Sequence, residues 1–380
     1  MKVVIAIDSF KGSITSAEGS EAIADGIRRV YPDAEIVSLP VADGGEGTVD
    51  ALVAACGGRI VSLPITGPLG QPVTASYGLL GDGRTAVLEV AAACGLPLVP
   101  PEARNPLRTT TFGVGELIAS AVRHGVRDFI IGLGGSATND AGTGMLQALG
   151  YRFLDSAGQE VAHGGAALSG IRTLDAAGAM PELKDCRFRI ACDVDNPLYG
   201  PEGAAYVFGP QKGASPKDVR LLDQGLQQWA SVASAVTGLE LAAVPGAGAA
   251  GGLGAAFVGF LGGTLQSGIG LALELIGLER HLEGAHLVLT GEGRLDGQTS
   301  RGKVPYGVAQ LARQQGIPVI ALAGSVDLAA EALNDHGITA YFPIISGPMA
   351  LEQAMDPERT KSRLRTTAEQ LLRLLQAVQR

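Results

Sequence analysis

Short runs rich in β-branched residues recur along the chain at VVIAI (3–7), EIVSL (35–39), DFIIGL (128–133), RFRIAC (187–192), HLVLT (286–290) and PVIALA (318–323). Continuous apolar runs of this length suit strands covered on both faces. Most are separated by segments with apolar residues three and four apart, which predict amphipathic helices: SAEGSEAIADGIRRVY, GTVDALVAAC, FGVGELIASAVRHG, PKDVRLLDQGLQQWASVASAV and VPYGVAQLARQQG. Strand, loop and helix in repetition predict an α/β fold with mainly parallel sheets, whose ligands collect at the carboxyl ends of the strands. The glycine-rich stretch VPGAGAAGGLGAAFVGFLGG (244–263) reads as a loop followed by a close-packed helix, or as a segment over a cleft.

A chain of 380 residues has the length of two domains. Its apolar residues are spread over short alternating runs, none long enough to cross a bilayer, so no membrane association is expected. The opening MKVVIAID reads as a strand and not as a signal peptide, which gives the cytoplasm as the expected location. A net charge of −9 without a basic stripe argues against nucleic acid as a partner; the arginines of the last helix read as a solvated face. Cys56, Cys94, Cys186 and Cys192 form no CxxC pair and have no histidine at ligand spacing, so they are expected to be buried small hydrophobes. Trp229 falls in a helical pattern and is expected in the core, and none of the five histidines has a carboxylate or serine at catalytic spacing.

The chemistry gathers just past the strands. Asp8 and Lys11 follow VVIAI, Asp43 and Glu46 follow EIVSL, Asp193 and Asp195 follow RFRIAC, and Glu292, Arg294 and Asp296 follow HLVLT. One aspartate in such a place is an ordinary helix N-cap. Several of them, with Lys11, Lys303 and glycine-rich backbone, are what Mg²⁺ and a polyphosphate require together: hard oxygens for the metal, ammonium groups for phosphate, and glycine where amides must come close.

Two loops imitate phosphate motifs imperfectly. Gly297 to Lys303 has the GxxxxGK spacing of a P-loop, but Val304 stands where a serine or threonine would reach Mg²⁺. GLGGSA (132–137) fits a dinucleotide fingerprint after a strand, yet Thr138, Asn139 and Asp140 delay the helix and no acidic residue ends a second strand at the right place. It is also similar to the GLGSSA phosphate loop of the galactokinase and homoserine kinase superfamily, although the surrounding chain is not. Thr109, Thr110 and Thr111 suit a helix cap before FGVGELI, and Asp140 reads as an N-cap and not as a catalytic group.

Taken together, IDSFKGS (7–13), PVADGGEGTVDAL (40–52), GLGGSATNDAGTGMLQALG (132–150), ACDVDNPLYGPEGAAYVFGPQKGA (191–214) and TGEGRLDGQTSRGKVPYGVA (290–309) resemble the bacterial type-1 glycerate kinases in order and spacing, over essentially the whole chain. The resemblance implies transfer of the ATP γ-phosphoryl group to D-glycerate, commonly at the 2-hydroxyl. It also implies two α/β domains with the active site in the cleft between them. The expected division is a discontinuous Rossmann-like domain of residues 1–75 and 285–380 and a second mixed α/β domain of residues 76–284.

Phosphoryl transfer asks for positioning, charge neutralisation and a base for the acceptor hydroxyl. The expected catalytic groups are Asp193, Asp296, Lys11 and Asp8, with Asp193 or Asp296 as the base or a metal ligand. Asp43, Asp195 and Glu292 are the expected Mg²⁺ ligands. Amides of Gly134, Gly135 and Ser136, with Thr138 and Asn139, are expected to cradle phosphates at the following helix N-terminus. Lys303 would neutralise phosphate or the substrate carboxylate, and Arg294 would clamp that carboxylate. The alternatives are transfer to the 3-hydroxyl or to another small hydroxy acid, a two-domain binder of a sugar acid or nucleotide, and a nicotinamide enzyme. A pure anion binder has little use for so many acids.

Overall fold

The computed structural model describes residues 1–297, 299 and 302–378. Among the described residues the strands are β1 (Lys2–Ile7), β2 (Glu35–Ser38), β3 (Gly58–Thr66), β4 (Pro72–Leu80), β5 (Thr85–Glu89), β6 (Asp128–Gly132) and β7 (Arg152–Leu154). They continue with β8 (Thr173–Asp175), β9 (Arg187–Ala191), β10 (Thr264–Gln266), β11 (Leu287–Leu295), β12 (Val319–Val326) and β13 (Ala340–Pro343). No helix among them is long and apolar enough to cross a membrane. Both compact units into which the chain divides are α/β.

Unit 1 comprises Met1–Asp43, Asp50–Gly57 and Ile269–Arg380. Its sheet is wholly parallel, in the order β13-β12-β11-β1-β2. Val3, Ile5 and Ile7 pack with Ile23 and Ile27 of the helix Ser16–Arg28 and with Leu364 and Leu372 of the helix Pro357–Val378, which explains their unbroken apolar run. Thr15 and Glu18 close a reciprocal capping box that fixes where the first helix starts. The strand order is the flavodoxin-like 2-1-3-4-5, one of the doubly wound arrangements expected of a Rossmann-like domain. Its topological switch lies between β1 and β11, the place where sheets of this kind bind ligands.

Unit 2 comprises Gly44–Val49 and Gly58–Gly268. Four strands in the order β10-β9-β6-β5 run parallel, and the antiparallel β4 and β3 extend the sheet beyond β5. Phe129 of β6 stacks on Phe188 of β9 with centroids 4.8 Å apart, and Trp229 and Phe257 are fully buried in the same core. The glycine-rich stretch resolves into a loop followed by the helix Leu253–Leu261.

The units meet the chain at other points than 75 and 285. β3 pairs with β4 along all of its nine residues, which carries 58–75 into unit 2. At the other end, Ile269 lies under Gly307, where a Cβ would come within 2.5 Å of it, and Gln315 Nε2 donates to the Glu279 carbonyl, which ties 269–284 to unit 1. Only Cys94 is fully buried; Cys56, Cys186 and Cys192 are half-buried, and all four are free thiols.

Candidate active site

β1 of unit 1 ends at Ile7, and the next residue, Asp8, is 2% exposed. Its Oδ1 accepts from the Ser9 amide at 2.6 Å and from Ser9 Oγ at 3.3 Å. Burial above all, and then repulsion from Asp43, push its pKa up to about 7 against the pull of Lys11. On the neighbouring β11, Glu292 is buried, accepts from Thr299 Oγ1 at 2.7 Å and pairs with Lys303 Nζ at 3.5 Å. Desolvation raises its pKa while Thr299 and Lys303 oppose the rise. Both carboxylates thus stand at the switch point of the sheet. Gly291 is needed between them, because a Cβ there would lie 2.1 Å from the Leu322 carbonyl of β12.

The other predicted groups of unit 1 differ from expectation in their partners. Lys303 neutralises Glu292 and takes the N-cap position of the helix Val304–Gln314. Arg294 is exposed and already pairs with Asp327 at 3.1 Å and Asp296 at 3.8 Å, so a substrate carboxylate would have to displace the protein's own. Asp296 is half-buried and its amide donates to Thr299 Oγ1, while Lys11 is exposed. Gln298, Ser300 and Arg301 of the imperfect P-loop lie outside the described residues.

In unit 2 the loop after β6 splits into an open and a closed part. Gly134 and Gly135 are exposed, Gly135 with a left-handed φ of 74°, and Ser136 follows at 5% exposure. The loop is tied beside them by the Leu96 amide donating to the Gly135 carbonyl and the Ala137 amide to the Cys94 carbonyl. Among the described residues the amides of Gly134, Gly135 and Ser136 have no hydrogen-bond acceptor, which leaves three successive donors for an anion. Thr138, Asn139 and Asp140, by contrast, are fully buried. Neither amide atom of Asn139 has a hydrogen-bond partner.

The helix N-terminus that was expected to hold phosphate is already taken. Asp140 Oδ1 accepts from the Gly142 amide at 3.1 Å, and its Oδ2 accepts from the Gly144 amide at 3.4 Å and from the Thr111 amide and hydroxyl at 2.9 Å each. A carboxylate fills the place of an anionic ligand; Asp140 stands two residues before Gly142, the N-cap of the helix Thr143–Ala148, and so binds this end of the helix from outside the N-cap position read for it in the sequence. Thr111 does not cap its own helix; its hydroxyl bridges Asp140 and the Met145 amide. Of the residues expected to cradle phosphate, Thr138 and Asn139 are enclosed, and Gly134 and Gly135 are exposed.

Asp193 and Asp195 follow β9, the parallel neighbour of β6, and both are exposed. Asp193 Oδ1 accepts from the Gly268 amide at 3.0 Å. Of the expected metal ligands, Asp43 and Glu292 belong to unit 1 and Asp195 to unit 2. Among the described residues no three His, Cys, Asp or Glu side chains are grouped to hold a metal ion.

One buried charged group was not anticipated from the sequence. Lys212 is buried at 2% exposure, and its Nζ donates to Ser136 Oγ at 3.0 Å and to the Thr138 carbonyl at 2.6 Å, directly against the phosphate-type loop. The available signal was a single lysine between Pro210 and Gly213 in a segment with few other charges. Gly213 has a left-handed φ of 93°, and a Cβ there would meet the Arg104 carbonyl at 2.3 Å. Glu89, at the end of β5, was also missed; it accepts from the Val49 amide at 2.9 Å.

The family model described as the glycerate kinase family matches residues 3–376. A glycerate kinase of Bacillus subtilis (strain 168) is 51% identical, with 94% of this chain and 93% of the relative covered. A glycerate 2-kinase of Escherichia coli (strain K12) is 49% identical, with 93% of each covered. A crystal structure described as that of a glycerate kinase 2 from Salmonella typhimurium LT2 superposes with a TM-score of 0.92 at 47% identity, covering 100% of this chain and 99% of that one.

Proposed function

The chain belongs to the glycerate kinase family and is an ATP-dependent phosphotransferase; we propose that it delivers the γ-phosphoryl group to the 2-hydroxyl of D-glycerate, giving 2-phosphoglycerate and ADP. The observation that carries the mechanism is Asp8. A carboxylate with a pKa near 7 at the switch point of a parallel sheet is matched to taking a proton from an alcohol at neutral pH, which an ordinary aspartate does poorly. As the substrate oxygen forms its bond to the γ-phosphorus, Asp8 accepts the hydroxyl proton. The bond from that phosphorus to the bridging oxygen breaks, and ADP leaves with the electron pair. Asp43 keeps the proton affinity of Asp8 high, and this favours Asp8 as the base over Asp193 or Asp296. The Gly134 to Ser136 amides bind phosphate oxygens, and Lys11, exposed after β1, is free to swing onto an anionic substrate.

Mg²⁺ bound as Mg·ATP draws most of its ligands from phosphate and water and needs one or two carboxylates from protein. Asp195 and Asp193, on the strand beside the amide nest, fit that need better than Glu292, which is spent on Lys303. Bound Mg²⁺ would neutralise the phosphate charge. Chelation with EDTA is expected to abolish turnover and added Mg²⁺ to restore it. Asp195→Asn should raise the Mg²⁺ concentration for half-activation about tenfold, and an unchanged activation curve would remove Asp195 from the metal.

The test of the reaction is an assay with Mg·ATP and D-glycerate that follows ADP and passes the product to enolase with no phosphoglycerate mutase present. ADP release with enolase turnover is the expected result. ADP release without it means transfer to the 3-hydroxyl, and no ADP release with D-glycerate overturns the reading.

A further inference from the structure

An ammonium group enclosed by protein is held either by a carboxylate or by several well-placed oxygens. Lys212 is of the second kind, since both its hydrogen-bond partners, Ser136 Oγ and the Thr138 carbonyl, are neutral. The ionisable groups that face it are Cys94, at the end of the helix Ala91–Cys94, and Asp140 beyond β6. Burial outweighs the pull of both. Burial pushes the Cys94 thiol up to about 12, and the Asp140 carboxylate is occupied by Thr111, Gly142 and Gly144. The Lys212 charge therefore stays incompletely compensated beneath the loop that carries Gly134, Gly135 and Ser136. Such a charge is poorly compensated until an anion arrives.

We propose that Lys212 is a positioning residue for a bound phosphate group: through Ser136 and Thr138 it holds the three amides as a nest, and it supplies the buried positive charge beneath them. Two phosphate-bearing ligands of the proposed reaction qualify, the nucleotide and the phosphorylated product, so the inference rests on that reading for its ligands. Ser136 is the link, because its oxygen accepts from Lys212 while its hydroxyl proton remains available to a phosphate oxygen. The lysine does not touch substrate. Burial lowers its pKa to about 8, so an anion in the nest should also stabilise its proton.

Calorimetric titration of the intact protein with ADP, and separately with 2-phosphoglycerate, tests this without turnover. Lys212→Met is expected to weaken one of the two ligands about tenfold or more and to leave the other within about twofold, and the ligand affected identifies the occupant of the nest. Wild-type affinity for that ligand should fall at least about threefold as pH rises from about 7.5 to about 9, and the fall should vanish in Lys212→Met. A lysine that served stability alone would lower the melting temperature and leave both affinities and the pH dependence as in wild type. That outcome overturns the proposal, as does a wild type that binds neither ligand. If Lys212→Met does not fold, Ser136→Ala, which removes one oxygen, carries the test: the same selective weakening supports the link, and wild-type affinity for both ligands with no pH dependence overturns it. Absence of ADP formation from D-glycerate would instead sink the kinase reading and leave these titrations interpretable.

Discussion

Asp8→Asn lowers kcat by about 10²- to 10⁴-fold while leaving the KM for ATP nearly unchanged, and at the same time makes the protein more stable. Asparagine keeps the shape of the side chain and the acceptor for the Ser9 amide, but it cannot take a proton. In the wild type, kcat/KM should rise with pH through about 7 and level off above it, because the base works only when ionised. The variant should lose that limb. The stability effect has the opposite sign. The carboxyl holds its proton more tightly folded than unfolded, with a pKa of about 7 against 3.8, so ionising it costs the fold a penalty that builds up as pH rises from about 4 to about 7. Above pH 7 the penalty is of the order of 4 kcal/mol, and a neutral asparagine avoids it. A calorimetric melt beside a pH–rate profile separates the two effects. A variant that keeps activity and its acidic limb would rule Asp8 out as the base.

Asp140→Ala is expected to be the most damaging single change in unit 2, by about 3–5 kcal/mol. The carboxylate serves three backbone amides and one hydroxyl without any contact with water, and alanine leaves those donors buried and unpaired. For a unit of this size that is a fall of roughly ten degrees or more in its calorimetric transition. Asp140→Asn should fall between alanine and wild type, since its oxygen still accepts while its NH₂ group opposes the donors of Thr111 or Gly144. A loss below about 1 kcal/mol for alanine would mean that water replaces the carboxylate, and the cap would not be what shapes the loop.

The six strands that the sequence announced are all parallel members of the two large sheets. VVIAI, DFIIGL and HLVLT are apolar without interruption because helices cover both faces, and such runs are visible in one dimension. β3 and β4 were not announced: β3 is a largely exposed edge strand that contains Pro64, and its pairing needs a partner that no local pattern specifies. β7, β8 and β10 have three residues each, too few for any periodicity. The boundary at 285 failed for a similar reason, because GIGLALELIGLERHL reads equally well as the end of one unit or the beginning of the other until Ile269 is seen packed against Gly307.

By itself the sequence determined the α/β class, the residue types delivered at each strand end and the family to which the chain belongs, because strand periodicity, strand-end loops and five long blocks are all local in the chain. The tertiary structure decided which of those residues do what. Asp8, Asp43 and Glu292 are chemically alike on paper, and only burial beside the others raises the proton affinity of Asp8 and commits Glu292 to Lys303. Lys212 stands far along the chain from the loop it supports, and folding brings its ammonium to Ser136. Desolvation and Coulomb interaction depend on distance in space and on exclusion of water, and neither quantity exists until the chain has folded.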